Sequence, residues 1–159
     1  MDNPLQVLVT WLHVASGIVW VGGYIFATVI VWPSLMRRPP KVALEVFDSI
    51  NKPISSLMGG AAQAVFWIGL LRGTVFGPIK SFHQMVTTGY GHLFMTSIIL
   101  TIAAVVISAV SAARLRDHVF DGDVFRPGGI KRVLRTNTIV IVLFALILAC
   151  MVAMRHGVY

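Results

Sequence analysis

Four long apolar stretches, separated by clusters of charge, constrain this chain more than any other feature. They lie at about residues 5–36, 53–72, 89–115 and 131–155. Each holds the roughly 20 residues that a helix needs to cross the hydrocarbon core of a bilayer. Hydrocarbon offers no partner to a backbone N–H or C=O, so such segments close their hydrogen bonds internally, as helices. Of the residues 57% are hydrophobic and 12% charged, where a soluble domain carries charge on about a quarter. The expectation is an all-α integral membrane four-helix bundle, a single transmembrane domain over residues 1–159. The first segment is expected to stay in the mature protein, because its apolar run is too long for a signal peptide and has no basic start.

The loop charges give an orientation. Of the 13 Lys and Arg residues, ten fall in two connections: Arg37, Arg38, Lys41 and Lys52 in the first, and Arg114, Arg116, Arg126, Lys131, Arg132 and Arg135 in the third. Arg72, Lys80 and Arg155 remain for the opposite side. This bias places the basic loops inside and both termini outside, as in a multi-pass protein of a cell inner membrane. The same bias accounts for the net charge of +7 without nucleic acid. A single cysteine, Cys150, excludes an intrachain disulfide and a cysteine-held cluster. All six acids lie in loops or at the terminus, so no carboxylate within the membrane can relay protons.

Finer signals mark the connections. Trp11 and Trp32 fit two aromatic belts at the membrane surfaces. Residues 42–50 show helical amphipathic spacing and predict a short surface helix, with the second span beginning near Pro53. Residues 72–88 and 117–129 read as loops. In the third span Ser97, Thr101, Ala104, Ser108 and Ser111 recur every three or four residues, which predicts one small, polar face against a neighbouring helix.

Histidine inside a membrane segment is costly and usually has a partner. His13 lies 24 residues before Arg37, and His92 lies 22 residues before Arg114. At 1.5 Å per residue both come out near one level, roughly 33–36 Å from the basic end. With no acid to pair with, the two point first to a shared metal or haem. Gly17, one turn from His13, leaves room for a flat ring, and Trp20 and Tyr24 follow on that face. Bundle cofactors are commonly held this way between facing helices. The expected site is therefore a haem b ligated by His13 and His92, lined by Gly17, Trp20 and Tyr24, with Arg72 or Lys80 at its propionates. The plain alternative is two interfacial histidines bonded to water or carbonyls. His156 shares the outer level and is the weaker rival ligand; His83 and His118 read as surface residues. Copper is the alternative cofactor, from His13, His92 and His156 with Met95, Met151, Met154 or Cys150.

Several short motifs resemble the copper resistance protein D superfamily. They are Trp11-Leu12-His13 through Trp20-Val21-Gly22-Gly23 to Trp32-Pro33, Phe66-Trp67-Ile68-Gly69-Leu70, Gly91-His92-Leu93, and Arg135-Thr136-Asn137 at the start of the last span. That superfamily is similar in turn to the HemJ-type protoporphyrinogen oxidases. The resemblance implies a haem-associated helical bundle in which His13 is the residue carried over most directly. Two positions depart from the HemJ pattern: Phe94 stands where it has a lysine, and Thr138 where it has an acid. The combined expectation is a cytochrome b-like electron-transfer subunit of a respiratory or redox complex, with the lipid bilayer and other membrane redox subunits as partners. A copper-handling membrane protein is the alternative, and a porphyrinogen oxidase the third.

Overall fold

The computed structural model describes residues 3–158. Four helices are long and apolar enough to cross a membrane: α1 (Pro4–Met36), α2 (Pro40–Thr74), α4 (Gly89–Ala113) and α6 (Gly129–His156). Short elements fill the connections. These are α3 (Phe82–Thr87), α5 (Leu115–Val119) and an antiparallel pair, β1 (Phe120–Asp121) with β2 (Val124–Phe125).

α1 starts on an Asn3 cap, whose side chain accepts from the Leu5 N–H, with Pro4 in the first turn. It widens into a π-helical turn at Ala27–Val31, where the Trp32 N–H reaches the Ala27 carbonyl. Pro33 follows directly. Proline has no N–H for the helix ladder, and a π turn is one way to absorb the missing bond.

α2 departs from the expected boundaries. The segment before Pro53 is not a separate surface helix but runs straight into the span, with Pro53 inside. Packing explains the override: Ala43 and Phe47 are buried against Trp32, Val119, Phe120 and Val133, which holds the early turns in line. The same cluster takes Trp32 out of its expected belt role, because its ring is 6% exposed and lies 5.9 Å from that of Phe47. Trp11, in contrast, is 70% exposed.

α1 packs against α2 and α6; α4 packs closely on α6 and less on α2, so α1 and α4 stand diagonally. The expected small face of α4 is real. Thr101 and Ala104 are buried, and the Ser97, Thr101 and Ser108 hydroxyls donate back to carbonyls of their own helix. In mid-bundle Trp20, Ala62, Val65, Ala104, Val140, Phe144 and Ile147 form a second core. Outward-facing residues are also apolar, among them Ile18, Leu57, Trp67, Ile99 and Leu148. A soluble bundle would put charge there, whereas lipid-facing surfaces look like this.

Candidate cofactor site

His13 projects into the bundle at the end away from the arginine-rich loops, and is 5% exposed. Its Nδ1 is a buried polar atom without a hydrogen-bond partner among the described residues. Leaving such an atom unmatched costs roughly 1–3 kcal/mol, so it asks for an explanation. α2 accommodates the ring through Gly69: a Cβ there would stand 3.0 Å from the His13 Cε1 atom. One turn on, Gly73 is filled by the Phe94 ring, which leaves no room for any side chain. The Val65 backbone also interacts with the imidazole. With the proton on Nε2, Nδ1 offers a free lone pair.

A cleft of about 70 Å³ opens beside this ring. Arg72, Ser97, Thr101, Met151 and Met154 line it with His13. Arg72 acts electrostatically on His13 and forms no ion pair with an acid among the described residues. The structure thus gathers one imidazole, two thioethers and an uncompensated guanidinium from three helices.

His92 is not part of this constellation. It is exposed, and its Nε2 lies 2.8 Å from the Val86 carbonyl, to which the ring donates. Tyr90 and Phe94, on either side of it in sequence, line the cleft instead. A height count along the helix does not fix the face on which His92 lies. A residue two positions from each of two cleft-facing residues is turned about 200° from both. The diagonal placement of α1 and α4 adds to the separation. The pairing of His13 with His92 across one cofactor is not what this arrangement presents.

The other expected residues scatter. Trp20 is 2% exposed and packs edge-on against Phe144 at 4.7 Å, with Tyr24 at 5.7 Å from the same ring. Both line a second cavity of about 250 Å³ that runs from the mid-bundle core toward the basic end, and not the His13 cleft. Gly17 has open space where a Cβ would be and borders neither cavity. Lys80 does not reach the cleft; its Nζ donates to the Thr74 and Val75 carbonyls and caps the end of α2. His156 is exposed at the end of α6, just before the Gly157 cap. His83 is exposed on α3, and Met95 and Cys150 are half-buried outside the cleft.

Sequence reading did not assign Ser97, Thr101 and Phe94 to a site. The signal was present in part: Phe94, Ser97 and Thr101 continue the face of the small-residue stripe on α4. Asn137 was a motif residue without a role; it is buried, and its Nδ2 donates to the Thr28 hydroxyl at 2.9 Å, tying α6 to the π turn of α1. No three His, Cys, Asp or Glu side chains cluster as for a metal among the described residues, so a metal here relies on histidine and thioether donors. Family models, curated proteins and solved structures give no match to this chain.

Proposed function

We propose that the chain spans a membrane and carries a redox cofactor on His13, and that this cofactor is a haem b serving electron transfer within a membrane redox assembly. One observation carries the reading: a buried imidazole with a free Nδ1, facing a cleft that also holds Arg72 and two methionines. His13 would help to hold the haem through its imidazole. Met151 or Met154, which share the cleft, would hold it with His13 in the part expected of His92, an imidazole–thioether pair that haem proteins use. Arg72 would meet a propionate, which gives its unpaired charge a partner. A bound haem would supply one-electron chemistry, and the chain's own residues would set its position and the polarity around it. Phe94 in the cleft, where the HemJ pattern has lysine, removes a proton-handling group and favours electron transfer over porphyrinogen oxidation. The apolar exterior suits contact with lipid and with other membrane subunits. The charge bias supports an inner-membrane placement with both termini outside.

A second reading is favoured by the size of the cleft. About 70 Å³ holds a metal ion with its nearest waters, whereas a macrocycle needs the helices to part. Copper(I) on His13, Met151 and Met154 would match soft donors to a soft ion. Arg72 argues against it, since a guanidinium at the edge of the cleft repels a cation, although solvent around the exposed side chain weakens the effect.

The two are separated by purifying the full chain from membranes. A reduced-minus-oxidised b-type spectrum with bound haem near one per chain is expected. A colourless preparation holding stoichiometric copper would replace haem by the second reading, and a preparation with neither would overturn both.

A further inference from the structure

A third cleft, of about 320 Å³, lies at the basic end between α4, α5 and α6. Its lining combines basic and apolar side chains, with Ser111, Thr136 and Asn137 among them. Arg114, at the end of α4, and Arg132, in the first turn of α6, stand with His118 at one side. Val106 and Val110, 54% and 49% exposed on the outer face of α4, form the other.

The charged side is uncompensated. The ion pairs among the described residues are Arg116 with Asp48 and Arg126 with Asp121, so neither Arg114 nor Arg132 is neutralised. Asp117, the acid on the same short helix as His118, forms no ion pair with them. The first turn of α6 has no acidic residue and no side-chain cap, although a helix N-terminus favours negative charge. Gly129 holds this turn in place: a Cβ there would meet the His118 carbonyl, so α5 and α6 touch through backbone. The cleft is therefore framed by packed main chain and not by flexible side chains alone.

We propose that this cleft binds one anionic phospholipid, its phosphodiester between Arg114, Arg132 and His118 and its acyl chains along Val106 and Val110. The proposal rests on the membrane-spanning reading but not on the cofactor, because no residue of the His13 cleft is involved. Charge complementarity selects an anion, and the adjoining exposed valines select one with hydrocarbon attached. Basic recesses between membrane helices on the positively charged side are suited to such headgroups.

The test uses the full chain in nanodiscs of phosphatidylcholine with or without phosphatidylglycerol, then native mass spectrometry of the released protein. One retained phosphatidylglycerol per chain is expected, and no retained phosphatidylcholine. Arg114→Gln with Arg132→Gln should weaken retention on the order of 25-fold, about fivefold for each arginine. Arg37→Gln with Arg38→Gln, equally basic but outside the cleft, should leave it within about threefold. Helical circular dichroism in phosphatidylcholine discs establishes that both variants fold. Equal retention by the two double variants overturns the cleft as the site. Inorganic phosphate raising the melting temperature as much as phosphatidylglycerol does would show an anion site without lipid, and also overturns it. Release of the native chain from membranes by alkaline carbonate would overturn the membrane reading itself, a result distinct from insertion without lipid selectivity.

Discussion

The two ends of this bundle handle polarity in opposite ways. At the basic end charge lies on the surface, and beneath it Trp32, Phe47, Phe120 and Val133 fill an aromatic core. At the His13 end the surface is sparsely charged, and polarity reaches inside: an unmatched imidazole nitrogen and two hydroxyl-bearing residues face a cleft, with the exposed Arg72 at its edge. The first arrangement is what stability asks for. The second leaves the His13 nitrogen unmatched at a cost in stability, the kind of feature that a bound group would offset.

Substitutions at the two ends should separate these roles. The largest effect on stability is expected from Phe47→Ala, which empties the basic-end core and should cost roughly 3–5 kcal/mol in denaturant unfolding while leaving the content of the proposed haem unchanged. Gly73→Leu at the other end should cost about 1–3 kcal/mol, because the Phe94 ring occupies that space. Unlike Phe47→Ala it should also lower the content of the proposed haem, since Phe94, which must shift, lines the cleft. A Gly73→Leu protein with full cofactor would show that the cleft is not the binding site. Asn137→Ala removes the bond to Thr28 between the ends and should cost about 1 kcal/mol, read as a small fall in melting temperature. Arg116→Ala breaks only the exposed pair with Asp48 at 3.2 Å, so a loss of roughly 0.2–1 kcal/mol is expected, smaller still in high salt.

The pH dependence adds a still smaller effect at the basic end. Partial burial, then the charges of Arg132 and Arg114, hold His118 below its ordinary value of 6.5. The unfolded chain therefore binds this proton more readily than the folded one. Stability from His118 is present above pH 6.5 and is lost as pH falls from there through the folded-state value. His118→Gln should flatten that part of the melting-temperature profile. An unchanged profile would mean that the arginines do not act on His118.

The four spans were legible because apolar length is a direct physical requirement of crossing a bilayer. The basic boundary of α2 was not, because Pro53 is a strong local signal and tertiary packing around Phe47 outweighs it. The same contrast holds for Trp32: an aromatic at a span end suits a belt, but only the fold shows that Phe47 and Phe120 cover it. At the site, axial rise puts His13 and His92 at one level, and Arg72, expected at the propionates, lines the His13 cleft. Rise alone carries no information on azimuth. For that reason His92 was placed inward although Tyr90 and Phe94 take the inward face. Trp20 and Tyr24 share a face with His13, but about two and three turns further along α1 they belong to the mid-bundle core and its neighbouring cavity, not to the cleft. Lys80 was a plausible propionate partner until the carbonyls at the end of α2 claimed it.

His13→Ala and His92→Ala, purified in parallel and compared by reduced-minus-oxidised spectra, test the central claim most directly. His13→Ala should lose the b-type spectrum, while His92→Ala should keep it, because only His13 faces the cleft. A normal spectrum from His13→Ala, with haem bound at wild-type stoichiometry, would contradict the account.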